Sequence, residues 1–375
     1  MNPYYLMQRL GESWVAADEG FTQFYEVQPD SWNKDRDTPI IPGVRHPLIP
    51  YFKFRPLLGQ PKPNFYLLGI PYAGGTSIHD SSVGLFEDSL RAESWKRTVY
   101  PAFVSPYTSG LYDIGTDRRL MQGVILQDLG SCVKEHFISD ESGVSSPGVS
   151  EAVKLSVTEQ AGLYSIGGDH SITYSLLSAF VEQMNKPIIL IEFDAHHDCG
   201  IDALHHDRIH HANFVRHLLA RDEIAAVVQL GLRGIRSVDQ MYTHDKLIQI
   251  SGERMEPQTI QRILSELRMN YPEAVAYLSF DMDCLDPGTF PYVDFPLSGG
   301  PSWHVVLQAV ETVLRSDLYF IGGDLVEGQG VAASDRVPGQ MELALRLMVH
   351  MLEGLHQNRM SQDCSLHIGE ICHES

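Results

Sequence analysis

Cysteine is the first thing this sequence has little of. Its 375 residues include Cys132, Cys199, Cys284, Cys364 and Cys372, an odd set with no Cys-x-x-Cys pair. That argues against a disulfide-stapled scaffold and for reduced thiols in a cytosol-like compartment. Cys199 and Cys284 have no obvious base beside them and read as packing residues. Positive charge is scarce too. With 28 Lys and Arg against 48 Asp and Glu, the formal net charge is −20. Such a field repels nucleic acid and anionic membrane and mildly favours cationic ligands. No apolar run approaches bilayer-spanning length, and the first residues lack a basic-then-apolar leader pattern. The expectation is a soluble, cytoplasmic protein with neither nucleic acid nor membrane as a partner.

What is present is an ordinary globular composition, 43% hydrophobic and 20% charged, with ample material for a core. Residues 1–60 stand apart. They carry Tyr4, Tyr5, Trp14, Phe21, Phe24, Tyr25 and Trp32, then Pro39, Pro42, Pro47 and Pro50. This reads as an N-terminal arm held by aromatic anchors, with a short helix near Tyr4 to Ala17. Residues 61–375 read as one catalytic domain. From Asn64 onward strands and helices alternate, which implies βαβ units and a mostly parallel sheet covered on both faces.

The stretch Pro187 to Gly200, PIILIEFDAHHDCG, organises the rest. An unbroken apolar run suits a strand buried on both sides. It ends in Asp194, His196 and Asp198, whose i, i+2, i+4 spacing points them to one side of an extended backbone. Open α/β sheets place their sites at such carboxyl ends. Three further strands end the same way: at Gly167-Gly168-Asp169-His170-Ser171, at Asp281-Met282-Asp283, and at Gly322-Gly323-Asp324-Leu325-Val326-Glu327. His170, Asp194, His196, Asp198, Asp281 and Asp283 then form a mixed oxygen and nitrogen set suited to divalent transition metals. Two such ions about 3.5–4 Å apart can share a water and lower its pKa towards neutrality.

Together and in this order, GGDHS at 167–171, DAHHD at 194–198, SFDMDCLDP at 279–287 and GGDLVEGQG at 322–330 closely resemble the ureohydrolase (arginase/agmatinase) family. The pattern is nearest to agmatinase-like members. The resemblance covers roughly residues 64 to 354. It implies a three-layer α/β/α fold with a central, mostly parallel sheet. It also implies a binuclear centre of two divalent ions per chain, with Mn2+ the family default and Ni2+ compatible with the same donors. A homotrimer or homohexamer would be the usual assembly. His170, Asp194, Asp198 and Asp283 would ligate the ions, and His196 and Asp281 would complete the set. Asp194, Asp198 and one Asp of the later pair are the natural bridges. Glu327 matches the acid that pairs with a substrate guanidinium, and Asp324 would orient its neighbours. His211 matches a proposed proton shuttle, with His210 as its rival.

The implied activity is hydrolysis of the guanidinium group of agmatine or another small guanidino compound to urea and an amine. The contacts expected for a free α-amino acid are missing: Gly200, Asp207 and Arg236 stand where arginases have other side chains. Glu327, Asp207, Arg236 and Trp303 are the candidate substrate contacts, and Trp303 could stack on a flat cation. Two alternatives stay open. One is the same chemistry on a guanidino acid, formiminoglutamate or free guanidine, which Arg233 or Arg236 in the pocket would favour. The other is a catalytically silent member acting as a regulatory or assembly subunit.

Overall fold

Every residue of Ile188–Phe193 is buried. Ile189, Ile191 and Phe193 pack into one apolar cluster, while Ile188 and Leu190 pack into another. A strand covered on both faces has no wet side, so its sequence shows a continuous apolar run in place of alternation. The computed structural model describes residues 41–45, 62–97, 110–140, 143–200, 208–238, 241–331 and 337–373. The helix expected near Tyr4 to Ala17 lies outside them.

The main sheet contains β1 (Val44–Arg45), β2 (Phe65–Ile70), β3 (Leu126–Cys132), β4 (Gly162–Gly167), β5 (Ile188–Phe193), β6 (Ile224–Leu232), β7 (Leu247–Ser251), β8 (Val275–Asp281) and β9 (Tyr319–Val326). Their spatial order is β1-β3-β2-β4-β9-β8-β5-β6-β7. The β1–β3 pair is antiparallel and the others are parallel. The segment around Val44 therefore joins the sheet edge, although the sequence placed it in the arm.

The helices are α1 (Phe86–Arg97), α2 (Pro147–Thr158), α3 (Ser171–Gln183), α4 (Phe214–Leu219), α5 (Pro257–Asn270), α6 (Trp303–Leu314) and α7 (Met341–His373). Their buried residues sort them into two layers. Those of α2, α3 and α4 share the cluster of Ile188 and Leu190. Those of α1, α5, α6 and α7 share the cluster of Ile189 and Ile191. Helix α5 shows the local logic: Pro257 opens it, and Ile260, Ile263, Leu264 and Leu267 are buried. That i, i+3, i+4, i+7 stripe faces the sheet, each side chain contributing roughly 1.5–3 kcal/mol by burial. Among the described residues, no helix is long and apolar enough to cross a membrane.

Two strands differ from expectation. The short strand expected at Val124 to Leu126 begins only at Leu126 and continues to Cys132. Its polar residues disguised it. Asp128 and Ser131 are paired with Arg91 and Glu87 of α1, so the polarity is internally satisfied. Strand β9 was expected to stop at Gly322, yet it continues to Val326. The Gly-Gly pair reads as a breaker, but here it lets strands approach closely. A Cβ at Gly322 would lie 2.1 Å from the Leu163 carbonyl oxygen, and one at Gly323 would lie 2.6 Å from that of Leu278. Asp324 is consequently inside a strand and not on the loop after it.

Candidate metal centre

Strands β4, β9, β8 and β5 are contiguous and parallel, so their carboxyl ends meet at one edge. His170 follows β4, Asp194, His196 and Asp198 follow β5, Asp281 ends β8 with Asp283 beyond it, and Glu327 follows β9. Four motifs scattered over more than 150 residues of sequence converge because the later strands β8 and β9 insert between β4 and β5.

His170 and Asp194 are fully buried. The His170 Nδ1 atom lies 3.1 Å from Asp194 Oδ2, 3.2 Å from Asp198 Oδ2 and 3.2 Å from Asp281 Oδ2. Neither His170 Nδ1 nor Asp194 Oδ2 makes a hydrogen bond. Donor atoms thus converge on a point without bonding one another. Beside them, His196 Nδ1 lies 2.8 Å from Asp283 Oδ2 and 3.6 Å from Asp194 Oδ1. His170, Asp194 and Asp198 together with Glu192 could hold one metal ion, and Asp194, His196 and Asp283 another, so the two groups share Asp194. All six donors read from the sequence are brought together.

Electrostatics points the same way. Taking an ion out of water costs several kcal/mol, against a total stability of about 5–15 kcal/mol for a domain. Glu192, Asp194, Asp198, Asp281 and Asp283 are all buried here, so cations or protons must neutralise them. Without a metal, burial and the Asp283 charge push the Asp281 carboxyl well above its usual range. Burial and Asp194 push Asp283 up to about 6. Burial disfavours the charged imidazole of His170, but its carboxylate neighbours outweigh that and raise its pKa well above normal. Orphaned buried donor atoms and an excess of carboxylates fit a pair of divalent cations.

Behind the donors runs a polar row of which sequence reasoning singled out only Asp324. Register places Gln249, Gln229, Glu192, Ser279, Asp324 and Ser165 side by side across β7, β6, β5, β8, β9 and β4. Gln249 Nε2 donates to Gln229 Oε1 (2.8 Å), and Gln229 Nε2 donates to Glu192 Oε2 (2.6 Å). Ser279 Oγ sits 2.9 Å from His170 Nε2 and donates to Asp324 Oδ1 at 2.6 Å. Asp324 also accepts from Thr173 and Tyr277. It therefore orients His170 through Ser279, the way outer hydrogen bonds fix a ligating imidazole. Glu192 Oε1 lies 3.5 Å from His170 Nε2. It was visible in principle: the alternation through Asp194, His196 and Asp198 extends back one step to Glu192.

Glu327 takes up a left-handed backbone, φ 59°, as does Asp198 at φ 43°. Non-glycine residues in that region are uncommon and concentrate at functional sites. Glu327 Oε1 accepts the His170 backbone N–H at 2.7 Å and faces His211 Nδ1 at 3.3 Å. Burial depresses the His211 pKa, but the hydrogen bond and charge of Glu327 prevail and raise it to about 9. His210 is engaged with its own turn. Its N–H donates to Asn213 Oδ1, and its Nδ1 accepts from the Ala212 N–H. His211 is the member of the pair that reaches Glu327.

A second missed carboxylate is Asp169, which accepts from the Gly75 N–H (2.7 Å) and from Ser171. Burial and Glu327 raise its pKa to about 6. Phe295 was missed as well. Its ring lies 5.3 Å from that of His211 and 6.4 Å from that of His196.

The other expected contacts fall elsewhere. Asp207 is outside the described residues. Arg236 is exposed, and its Nη1 lies 3.3 Å from His197 Nε2. Trp303 stacks with Arg346 of α7 at 5.0 Å, where a substrate cation was expected. Arg233 is spent on the carbonyls of Gly231, Asp283, Cys284, Leu285 and Leu297.

A profile of the arginase family matches residues 65–352. The agmatinase of Chromobacterium violaceum is 28% identical over 211 residues, covering 53% of this chain and 59% of that protein. Among solved structures, a hypothetical agmatinase from Burkholderia thailandensis superposes with a TM-score of 0.63 at 22% identity, covering 84% of this chain and 92% of the other. The formiminoglutamase of Trypanosoma cruzi, determined with Mn2+, gives 0.61 at 15% identity, with 80% and 96% covered. At these identities the structural likeness speaks to the three-layer fold.

Proposed function

The chain belongs to the arginase family, whose members are hydrolases of amidino C–N bonds, and from that premise we propose that it hydrolyses the guanidinium group of agmatine or another small guanidino compound. The observation that carries this reading is Asp194 shared between two donor groups, with Glu327 and His211 paired beside them. His170, Asp194, Asp198 and Asp281 would hold one ion, and His196, Asp283 and Asp194 the other. When bound, two divalent ions, Mn2+ or Ni2+, would supply Lewis acidity and activate water at neutral pH.

The chain's own residues supply the rest. A guanidinium is planar and donor-only, and a carboxylate matches it with two parallel hydrogen bonds. Glu327 is buried and fixed by the His170 N–H, so it can orient that group without moving. Hydrolysis consumes one water, breaks one C–N bond and releases urea and an amine. The departing nitrogen must gain a proton, and His211, charged at neutral pH through Glu327, is placed to give it. Arg233 cannot read a substrate carboxylate while it holds five backbone carbonyls, which weakens the guanidino-acid alternative. The family resemblance supports a homotrimer or homohexamer, and the buried free thiols of Cys132, Cys199 and Cys284 suit a reducing, cytosol-like compartment.

Product analysis tests this. Protein loaded separately with manganese and nickel is given agmatine, L-arginine, guanidinobutyrate, guanidinopropionate, guanidinoacetate, guanidine and formiminoglutamate. Urea from a guanidino compound supports the reading. Formamide from formiminoglutamate alone would replace it, and no product from any of them would overturn it.

A further inference from the structure

One wall of the site is a loop that the reaction itself does not use. It runs from Asp286, beyond the end of β8, to Pro301, just before α6. Asp286 closes it at the base, accepting from the Gly288, Gly299 and Gly300 N–H groups. Val293 bridges Gly328, and the Gln329 N–H donates to the Tyr292 carbonyl at 2.7 Å. Arg233 grips the Leu297 carbonyl. With these ties, the tip residues Asp294 and Phe295 have a defined position.

That position is beside the reacting groups. Phe295 contacts His211 on the Glu327 side and His196 on the metal side, so its ring spans the gap between them. Asp294 accepts from Gln329 Nε2 at 2.6 Å and from Thr76 Oγ1 at 3.3 Å. Gln329 lies two residues past Glu327. Thr76 follows Gly75, whose carbonyl takes the His211 N–H at 3.4 Å. Both side-chain donors to Asp294 are neutral, so they orient the carboxylate without cancelling its charge.

An aromatic ring beside an uncancelled carboxylate is the pairing that attracts cations and turns away anions. We propose that Asp294 and Phe295 read the part of the substrate extending beyond the guanidinium, accepting a slim cationic or uncharged tail and rejecting a carboxylate. The proposal deepens, and rests on, the amidinohydrolase reading. It names the substrate class as guanidino compounds whose far end is an amine or is absent.

Agmatine and 4-guanidinobutyrate have almost the same length and opposite end charges, so their ratio of kcat/KM isolates the effect. Wild-type protein is expected to favour agmatine by about 100-fold, and Asp294→Asn to shrink the ratio about tenfold, the scale of a single lost discriminating contact. Phe295→Leu is expected to lower it about threefold by removing the cation-attracting ring. A general loss of activity cancels in the ratio. Should the Asn variant fail to fold by circular dichroism, wild-type protein decides: 1,4-diaminobutane is expected to inhibit competitively and succinate to leave turnover unchanged. Preference for 4-guanidinobutyrate, a ratio unmoved in Asp294→Asn, or equal inhibition by succinate overturns this wall while leaving the hydrolase reading intact. Wild-type protein that splits no guanidino compound overturns both.

Discussion

Asp194 presents its two carboxylate oxygens to two different histidines: Oδ2 lies 3.1 Å from His170 Nδ1, and Oδ1 lies 3.6 Å from His196 Nδ1. One side chain at the end of β5 therefore couples the two donor groups. Replacing Asp194 by Asn should cost both ions. Replacing His196 by Ala should cost mainly the ion next to Asp283. Elemental analysis after manganese loading and gel filtration checks this, with about two, one and zero ions expected per chain for wild type, His196→Ala and Asp194→Asn. Equal metal content in all three would remove the bridging role.

The His211–Glu327 pair makes stability depend on pH. The folded pKa of His211, about 9, is above the ordinary value of 6.5. The stabilisation is therefore fully present below pH ~6.5 and lost as the pH rises through ~9. In chelator-treated protein, wild type should exceed His211→Asn by on the order of 2 kcal/mol at pH 6. The gap should narrow towards pH 10, as read by urea unfolding. A pH-independent gap would mean that the imidazole is neutral throughout.

The row behind the donors should tune metal affinity through His170 Nε2. Ser279→Ala removes the link between Asp324 and His170 Nε2. Glu192→Gln removes the carboxylate 3.5 Å from the same nitrogen. Each variant is expected to weaken binding of one ion about 10–100-fold, measured by calorimetric titration with manganese. Unchanged affinity in both would reduce the row to core packing.

Gly168 admits no side chain. A Cβ there would lie 1.6 Å from the Tyr72 carbonyl oxygen, a backbone atom that also accepts the Asp169 N–H at 2.9 Å. Gly168→Ala should destabilise by more than about 3 kcal/mol or prevent folding, since the strain falls on backbone that cannot rotate away. A melting temperature within a few degrees of wild type would contradict this close approach.

Much of the centre was legible because each donor follows an apolar run. A buried strand that ends in Asp or His shows where the sheet edge lies, and Asp194, His196 and Asp198 carry their own spacing. What sequence does not carry is register. That Ser279 lies beside both Glu192 and Asp324 depends on which strands become neighbours, so the sequence carries no sign of what Glu192 meets. The place of Trp303 is hidden for a similar reason. An aromatic residue at the start of a helix gives no sign of which neighbour it will meet, and here the neighbour is Arg346. Phe295 sits in a loop without periodicity, and only the ties at Asp286, Val293 and Arg233 bring it to the histidines.

The most direct test of the account compares urea release by wild-type protein and by Glu327→Gln at matched manganese content, on whichever guanidino compound the wild type splits fastest. The rate in the variant is expected to be at least about 1,000-fold lower, with metal binding unchanged, because Glu327 orients the guanidinium and charges His211. Equal rates at equal metal content would contradict it and would place substrate recognition elsewhere on the sheet edge.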